Sequence, residues 1–159
     1  MRIRLGLIAG GLIMTLAVIS LAGHSDPGPH PESQTPATKA AAEKAWPSFF
    51  KKFQAAVAKR DRVALTTMMA KDFNGSPNTP ADAFKEWDDP KTDGWVKLDR
   101  ALAQGAITAA PPEEGDPALE RPSMTAPPAA ERSNRYRGWV AAFTFAEDGK
   151  WYCVQFIKI

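Results

Sequence analysis

The chain has 159 residues, 20 basic and 18 acidic side chains for a formal net charge of +2, one cysteine and two histidines. That length supports one domain with a core of its own and is short for two. One cysteine excludes an internal disulfide, and the near balance of charge lacks the basic surplus that nucleic-acid binding needs to displace counterions.

The first segment reads MRIRLGLIAGGLIMTLAVISLAGHS, with Arg2 and Arg4 ahead of an apolar run from Leu5 to Ala22. Basic, apolar and small-residue regions in that order predict a secretory signal over residues 1–22, cleaved to leave a mature start near Gly23. The alternative is an uncleaved anchor, because the run approaches the roughly 20 residues of a spanning helix, although Gly6, Gly10 and Gly11 dilute it. His24 stands where a lipoprotein carries its acylated cysteine, so no stable membrane anchor is expected after cleavage. The expected location is periplasmic or secreted. Without Arg2 and Arg4 the basic and acidic residues balance, which again argues against nucleic acid. Residues 23–38, GHSDPGPHPESQTPAT, are proline-rich and polar with no apolar period, which predicts a disordered leader ahead of a single domain over 39–159.

Trp46, Phe49, Phe50, Phe53, Ala56 and Val57 repeat on one face of a 3.6-residue period and predict the first helix. Lys51 and Lys52 point away from that face, and Lys59 and Arg60 suit the negative end of the helix dipole. Pro47 removes a backbone donor, so the main helix is expected to begin there or to meet a preceding turn at a kink. Asp61 then caps a short second helix with Leu65, Met68 and Met69 as its stripe, and Asn74-Gly75 with Pro77 marks its exit. Thr79-Pro80 opens a third helix burying Phe84 and Trp87, and Asp88-Asp89-Pro90 stops it. A fourth carries Trp95, Leu98 and Leu102 and ends at Gly105.

From Ala106 to Asn134 the pattern breaks up among prolines, and two short strands are expected, 106–109 and 119–125, each at a sheet edge. The closing segment GWVAAFTFAEDGKWYCVQFIKI is a hairpin. Asp148-Gly149 predicts a two-residue turn that sets Glu147 opposite Lys150, Phe145 opposite Tyr152, Phe143 opposite Val154 and Ala141 opposite Phe156. In that register Trp139, Ala141, Phe143, Phe145, Tyr152, Val154 and Phe156 form the dry face. Val140, Ala142, Thr144, Trp151, Cys153, Gln155 and Ile157 form a mixed one. Thr144, Trp151 and Gln155 on the mixed face are the candidate ligand-binding residues.

Both histidines, His24 and His30, fall in the leader, which removes the imidazole a Ser-His-Asp or Cys-His system needs. Zinc chemistry has one cysteine to draw on, and no glycine-rich phosphate loop is present. No cofactor, metal or catalytic residue is therefore expected. The acidic stretch WDDPKTDGW admits a hard-cation site, but helix capping by Asp93 with Asp88 and Asp89 in water is the preferred reading, as a solvated loop is for Glu113, Glu114 and Asp116. Arg132, Arg135 and Arg137 around Tyr136 are read as a solvated strand entry in preference to an anion site. Cys153 is read as buried and inert.

The order of elements resembles the NTF2-like (cystatin-like) superfamily, which includes the SnoaL-type domains. The resemblance rests on WPSFFKKFQAAVAKRD as a long amphipathic first helix, DRVALTTMMAKDF as the short helix after an aspartate, and GKWYCVQF as the closing aromatic strand. It implies an α+β fold in which N-terminal helices pack on a small curved antiparallel sheet ending in a C-terminal hairpin, with an apolar pocket at the mouth of the cone. It also implies that such a pocket binds a small ligand or mediates dimers. The expected function is an exported, non-catalytic domain that binds a small apolar ligand or a protein partner, a second copy of the chain included, through the pocket or a sheet face. The alternatives are an isomerase, dehydratase or hydrolase of this fold using an Asp or Glu base, and a structural envelope protein.

Overall fold

The computed structural model describes residues 36–74, 78–109 and 121–159; the expected signal, most of the leader, Glu113, Glu114 and Asp116 lie outside them. Helix α1 runs over Pro36–Lys59, α2 over Arg62–Met68, α3 over Pro80–Asp88 and α4 over Gly94–Ala103. Strands β1 (Ile107–Thr108), β2 (Ser123–Ala126), β3 (Trp139–Phe145) and β4 (Trp151–Lys158) follow, with the single-turn helix α5 (Ala129–Arg132) between β2 and β3. The fold is α+β, helices first and then a four-stranded antiparallel sheet in the order β1-β2-β3-β4.

α1 does not begin at Pro47. It starts at Pro36 and carries Pro47 inside it on the exposed side, where the missing donor is the proline's main cost. The helix ends in a left-handed residue, Arg60 (φ 51°), with the Asp61 N–H on the Ala56 carbonyl and the Arg60 N–H on that of Val57, both 2.9 Å. This pair of bonds satisfies carbonyls that the last turn leaves open. Asp61 then accepts the Ala64 N–H at 3.0 Å and starts α2. α3 opens with the reciprocal Thr79–Asp82 capping box, with Pro80 at the first turn. α4 comes so close to α3 that a Cβ on Gly94 would lie 2.6 Å from Trp87 Cδ1 and 2.7 Å from Trp87 Cα. Only glycine fits at that crossing.

β1 is an edge strand as expected, but β2 sits inside the sheet between β1 and β3. Pro122 and Pro127 bracket β2 without entering it, so every ladder donor survives. The Pro122 carbonyl even extends the ladder, accepting the Phe145 N–H at 2.9 Å. β4's outer edge is covered by the segment after α2: Met69 bridges Cys153 in parallel, the Ala70 N–H bonds the Cys153 carbonyl, and Asn74 binds both sides of Phe156. An edge covered in this way is not a template for pairing with another chain.

The hairpin register differs from expectation near its turn. Ala146 N–H donates to the Lys150 carbonyl at 2.8 Å and Gly149 N–H to the Ala146 carbonyl at 3.0 Å, with Gly149 at φ 75°. The loop thus has three residues, Glu147-Asp148-Gly149, with glycine in the left-handed position that follows a tight turn. One extra loop residue shifts β4 by one, so Phe145 faces Trp151, Thr144 faces Tyr152 and Phe143 faces Cys153. A bulge at Val154 then restores the expected Ala141–Phe156 pair. Trp151 and Cys153 therefore turn into the core and Tyr152 turns out, reversing their predicted faces. Glu147 pairs with Arg121, and Lys150 with Asp148, in place of the expected Glu147–Lys150 pair.

α1 lies on the inner face of this sheet. Trp46 meets Trp151 edge-on at 4.7 Å and Phe143 at 5.3 Å, and Phe53 meets Phe143 at 5.3 Å. A second aromatic group joins Phe84, Trp87 and Trp95 to Phe156. Such ring pairs add about 0.5–1.5 kcal/mol each beyond the area they bury.

Candidate binding surface

The three candidate residues do not form one site. Trp151 is only 4 % exposed, and its Nε1 donates to the Ala42 carbonyl at 2.9 Å, so it belongs to the core. Thr144 and Gln155 lie on the opposite, outward face, both half-buried. The register assembles that face in rows. Ile107, Thr125, Ala142 and Gln155 cross all four strands; Ser123, Thr144 and Tyr152 form the next row; Val140 and Ile157 form a third. No Asp, Glu, Lys or Arg stands in these rows, while Arg121, Glu147, Asp148 and Lys158 lie at their ends. α5 covers one corner, where the Thr125 hydroxyl donates to Glu131 Oε1 at 2.9 Å. Sequence reasoning missed Ser123 and Tyr152 as members of this face, and no signal in the hairpin alone marks the three-residue loop that places Tyr152 there.

The interior expected to hold an apolar pocket is filled by rings: Trp46, Phe49, Phe53, Phe143 and Trp151 occupy the space between α1 and the sheet. A cleft of about 230 Å³ does open at the α3–α4 turn, lined by Arg60, Trp87, Asp88, Pro90, Asp93 and Trp95 among others. Its ring faces are already in use, Trp87 against Trp95 at 5.0 Å and Trp95 against Phe84 at 5.9 Å with the Arg60 guanidinium at 5.9 Å. Asp88 is also committed: Arg62 Nη2 donates to both its oxygens at 2.7 and 2.8 Å, and Trp95 Nε1 donates to Oδ1 at 3.0 Å. The expectation that Asp93 caps α4 with its side chain is corrected. Asp93 occupies the cap position in a left-handed conformation and makes no side-chain cap bond. Among the described residues no group of three or more His, Cys, Asp or Glu side chains is placed to hold a metal.

The arginine cluster is partly engaged with backbone. Arg137 Nη1 donates to the carbonyls of Asn134 and Tyr136, and the Tyr136 hydroxyl donates to that of Trp139. Every described Asp and Glu is exposed, so the alternative of a desolvated carboxylate base finds no candidate among the described residues. Cys153 is fully buried, and loss of solvation pushes its thiol pKa far up, which suppresses the nucleophilic thiolate. No described helix is long and apolar enough to cross a membrane. The chain matches no family model, no curated protein and no solved structure.

Proposed function

We propose that this chain is an exported, non-catalytic binding domain of NTF2-like architecture, whose outward sheet face docks a second copy of the chain. The long first helix laid across an antiparallel meander supports the architectural part, and the signal-like N-terminal sequence supports export. The observation that carries the binding mode is the set of neutral, half-buried side chains around Thr144 and Gln155, bordered by the Glu131 and Asp148 carboxylates, which accept from the Thr125 and Tyr152 hydroxyls. Specific interfaces have that anatomy, charge-depleted at the centre and polar at the edge.

A neutral face is self-complementary. An isologous contact sets uncharged rows against uncharged rows, whereas a strongly charged partner would find no counter-charge there. With strands about 4.8 Å apart and about 3.3 Å of rise per residue, the β2–β4 part measures roughly 15 by 25 Å. That footprint, roughly 375 Å² per copy, is below the usual size of stable specific interfaces, so the dimer is expected to be weak and concentration-dependent. Sedimentation equilibrium across a range from low micromolar to several hundred micromolar tests this: a monomer–dimer equilibrium is expected, and a monomer throughout rejects the reading.

A further inference from the structure

The exposed side of α1 carries a feature that the proposed dimer does not use. From Lys44 to Lys59 the helix reads KAWPSFFKKFQAAVAK, with four lysines and no acid. At about 100° per residue, Lys44, Lys51, Lys52 and Lys59 fall within an arc of roughly 100°, directly opposite the buried Phe53 and Val57. All four are exposed, and none makes an ion pair among the described residues. Exposed helix faces ordinarily interleave opposite charges at i,i+4 spacing. Here the side chains between the lysines are small or neutral: Pro47, Ser48, Ala55 and Ala58, all exposed. Glu43, the only acid in α1, lies about 80° beyond the edge of the stripe.

We infer that this stripe is an electrostatic docking face for an anionic lipid surface. It spans about 22 Å along one helix, so its ammonium groups can meet a broad, diffuse negative surface together. Lysine is a hydrated point charge without the bidentate fork that arginine offers to individual phosphates, and no arginine or aromatic side chain is exposed within the stripe. That composition fits a lipid plane better than a nucleic acid, which is read with arginines, amides and stacked rings. A second copy's acidic end is a poorer occupant, since Asp82 is bound by Thr79 and Lys85, and Asp88 by Arg62 and Trp95.

The test is co-sedimentation of the purified full chain with phosphatidylcholine vesicles containing or lacking a third phosphatidylglycerol. The increment due to phosphatidylglycerol is read at low salt and again at 0.5 M salt, roughly where surface charges are screened within a few ångströms. Each lysine at an anionic surface contributes about five-fold in affinity, so Lys51→Gln with Lys52→Gln is expected to lower the increment about 25-fold. Lys71→Gln with Lys91→Gln, which removes the same net charge at exposed positions away from both the stripe and the sheet face, is expected to leave it unchanged. Circular dichroism establishes that both variants fold. The inference is overturned by an increment that is absent, survives high salt, or falls equally in the two double variants. It is also overturned if the stripe variant instead loses binding to duplex DNA or to an acidic protein while its vesicle binding stays intact.

Discussion

The indole Nε1 of Trp151 donates a 2.9 Å hydrogen bond to the carbonyl of Ala42, joining the last strand to the first helix across 109 positions of the chain. Both residues are buried. The bond lands one turn ahead of Pro47, where the proline ring and its missing donor disturb the helix ladder. Trp151→Phe keeps a ring against Trp46 but leaves no donor, and it is expected to cost about 1–2 kcal/mol. Trp151→Ala also opens a cavity beside Trp46 and Phe145, and the expected loss rises to about 3–5 kcal/mol. Urea denaturation followed by far-ultraviolet circular dichroism measures both, and a loss for the phenylalanine variant indistinguishable from zero would reject the role given to the hydrogen bond.

Asn74 closes the free edge of β4. Its Nδ2 donates to the Phe156 carbonyl at 3.3 Å, its Oδ1 accepts the Phe156 N–H at 2.7 Å, and its own N–H bonds the Val154 carbonyl at 2.9 Å. It does so at φ 61°, a left-handed conformation that asparagine tolerates better than most residues. Asn74→Ala loses both side-chain bonds and adds backbone strain, for an expected cost of about 2–3 kcal/mol. Asn74→Gly relieves the strain without restoring the bonds, so it should lie about 1 kcal/mol closer to wild type. With the edge uncovered, the alanine variant is also expected to aggregate sooner on heating, as light scattering would record.

Gly94 marks the closest approach of α3 and α4. Because a Cβ there would meet the Trp87 backbone as well as its ring, a rotamer change alone cannot make room. Gly94→Ala is expected to destabilise by about 1–3 kcal/mol, in the range of overpacked cores, although alanine is the better helix former. A shifted tryptophan emission maximum in the folded variant would report the displaced Trp87–Trp95 contact. Unchanged stability and emission would mean that the two helices separate freely.

What was legible in the sequence was local. Asp61 and Thr79 announce their helices because capping uses residues within one turn, and the apolar periods of α1 and α4 state which side is buried. The faces of β4 were not legible because they depend on loop length. Glu-Asp-Gly closes either a two-residue or a three-residue turn, and the choice is made by long-range contacts: Trp46 and Ala42 receive Trp151 only in the shifted register. The bulge at Val154 then hides the shift from anyone reading back from Phe156, whose partner is as expected. β2 reads as an edge strand for a similar reason, since prolines beside a strand look in sequence like prolines within it. The uncharged outward face could be read only after the register had placed Ser123 and Tyr152 beside Thr144.

Cys153 gives a pH dependence whose sign follows from its burial. The folded thiol pKa is raised above its ordinary value of 9.0, while the unfolded chain titrates near that value. Above pH 9 the unfolded state releases the proton and the folded state keeps it. Stability therefore falls as pH rises, by up to about 1.4 kcal/mol per pH unit from this group; below pH 9 the thiol contributes no slope. Cys153→Ala is expected to be less stable at neutral pH but to lack this component of the alkaline slope, which paired urea titrations at pH 7.5, 9 and 10 would resolve. In the folded protein at pH 8, thiol-specific reagents should react only at the rate of unfolding. Rapid labelling would show that the side chain reaches solvent.

Charge placed in the middle of the outward face separates a docking role from a structural one. Thr144 and Gln155 are half-buried by their strand neighbours and point away from the aromatic core, so Thr144→Lys and Gln155→Glu should each change monomer stability by less than about 1 kcal/mol. In a symmetric sheet-to-sheet contact, however, each substitution would bring two like charges into a desolvated centre, where no residue in the rows neutralises them. Each variant is therefore expected to weaken self-association at least ten-fold while melting within a few degrees of wild type. Mixing the lysine variant with the glutamate variant should restore association in part, because the heterodimer sets opposite charges across the interface. Loss of association without rescue would still fit a shared face, but equal association in all three proteins would place the contact elsewhere on the molecule.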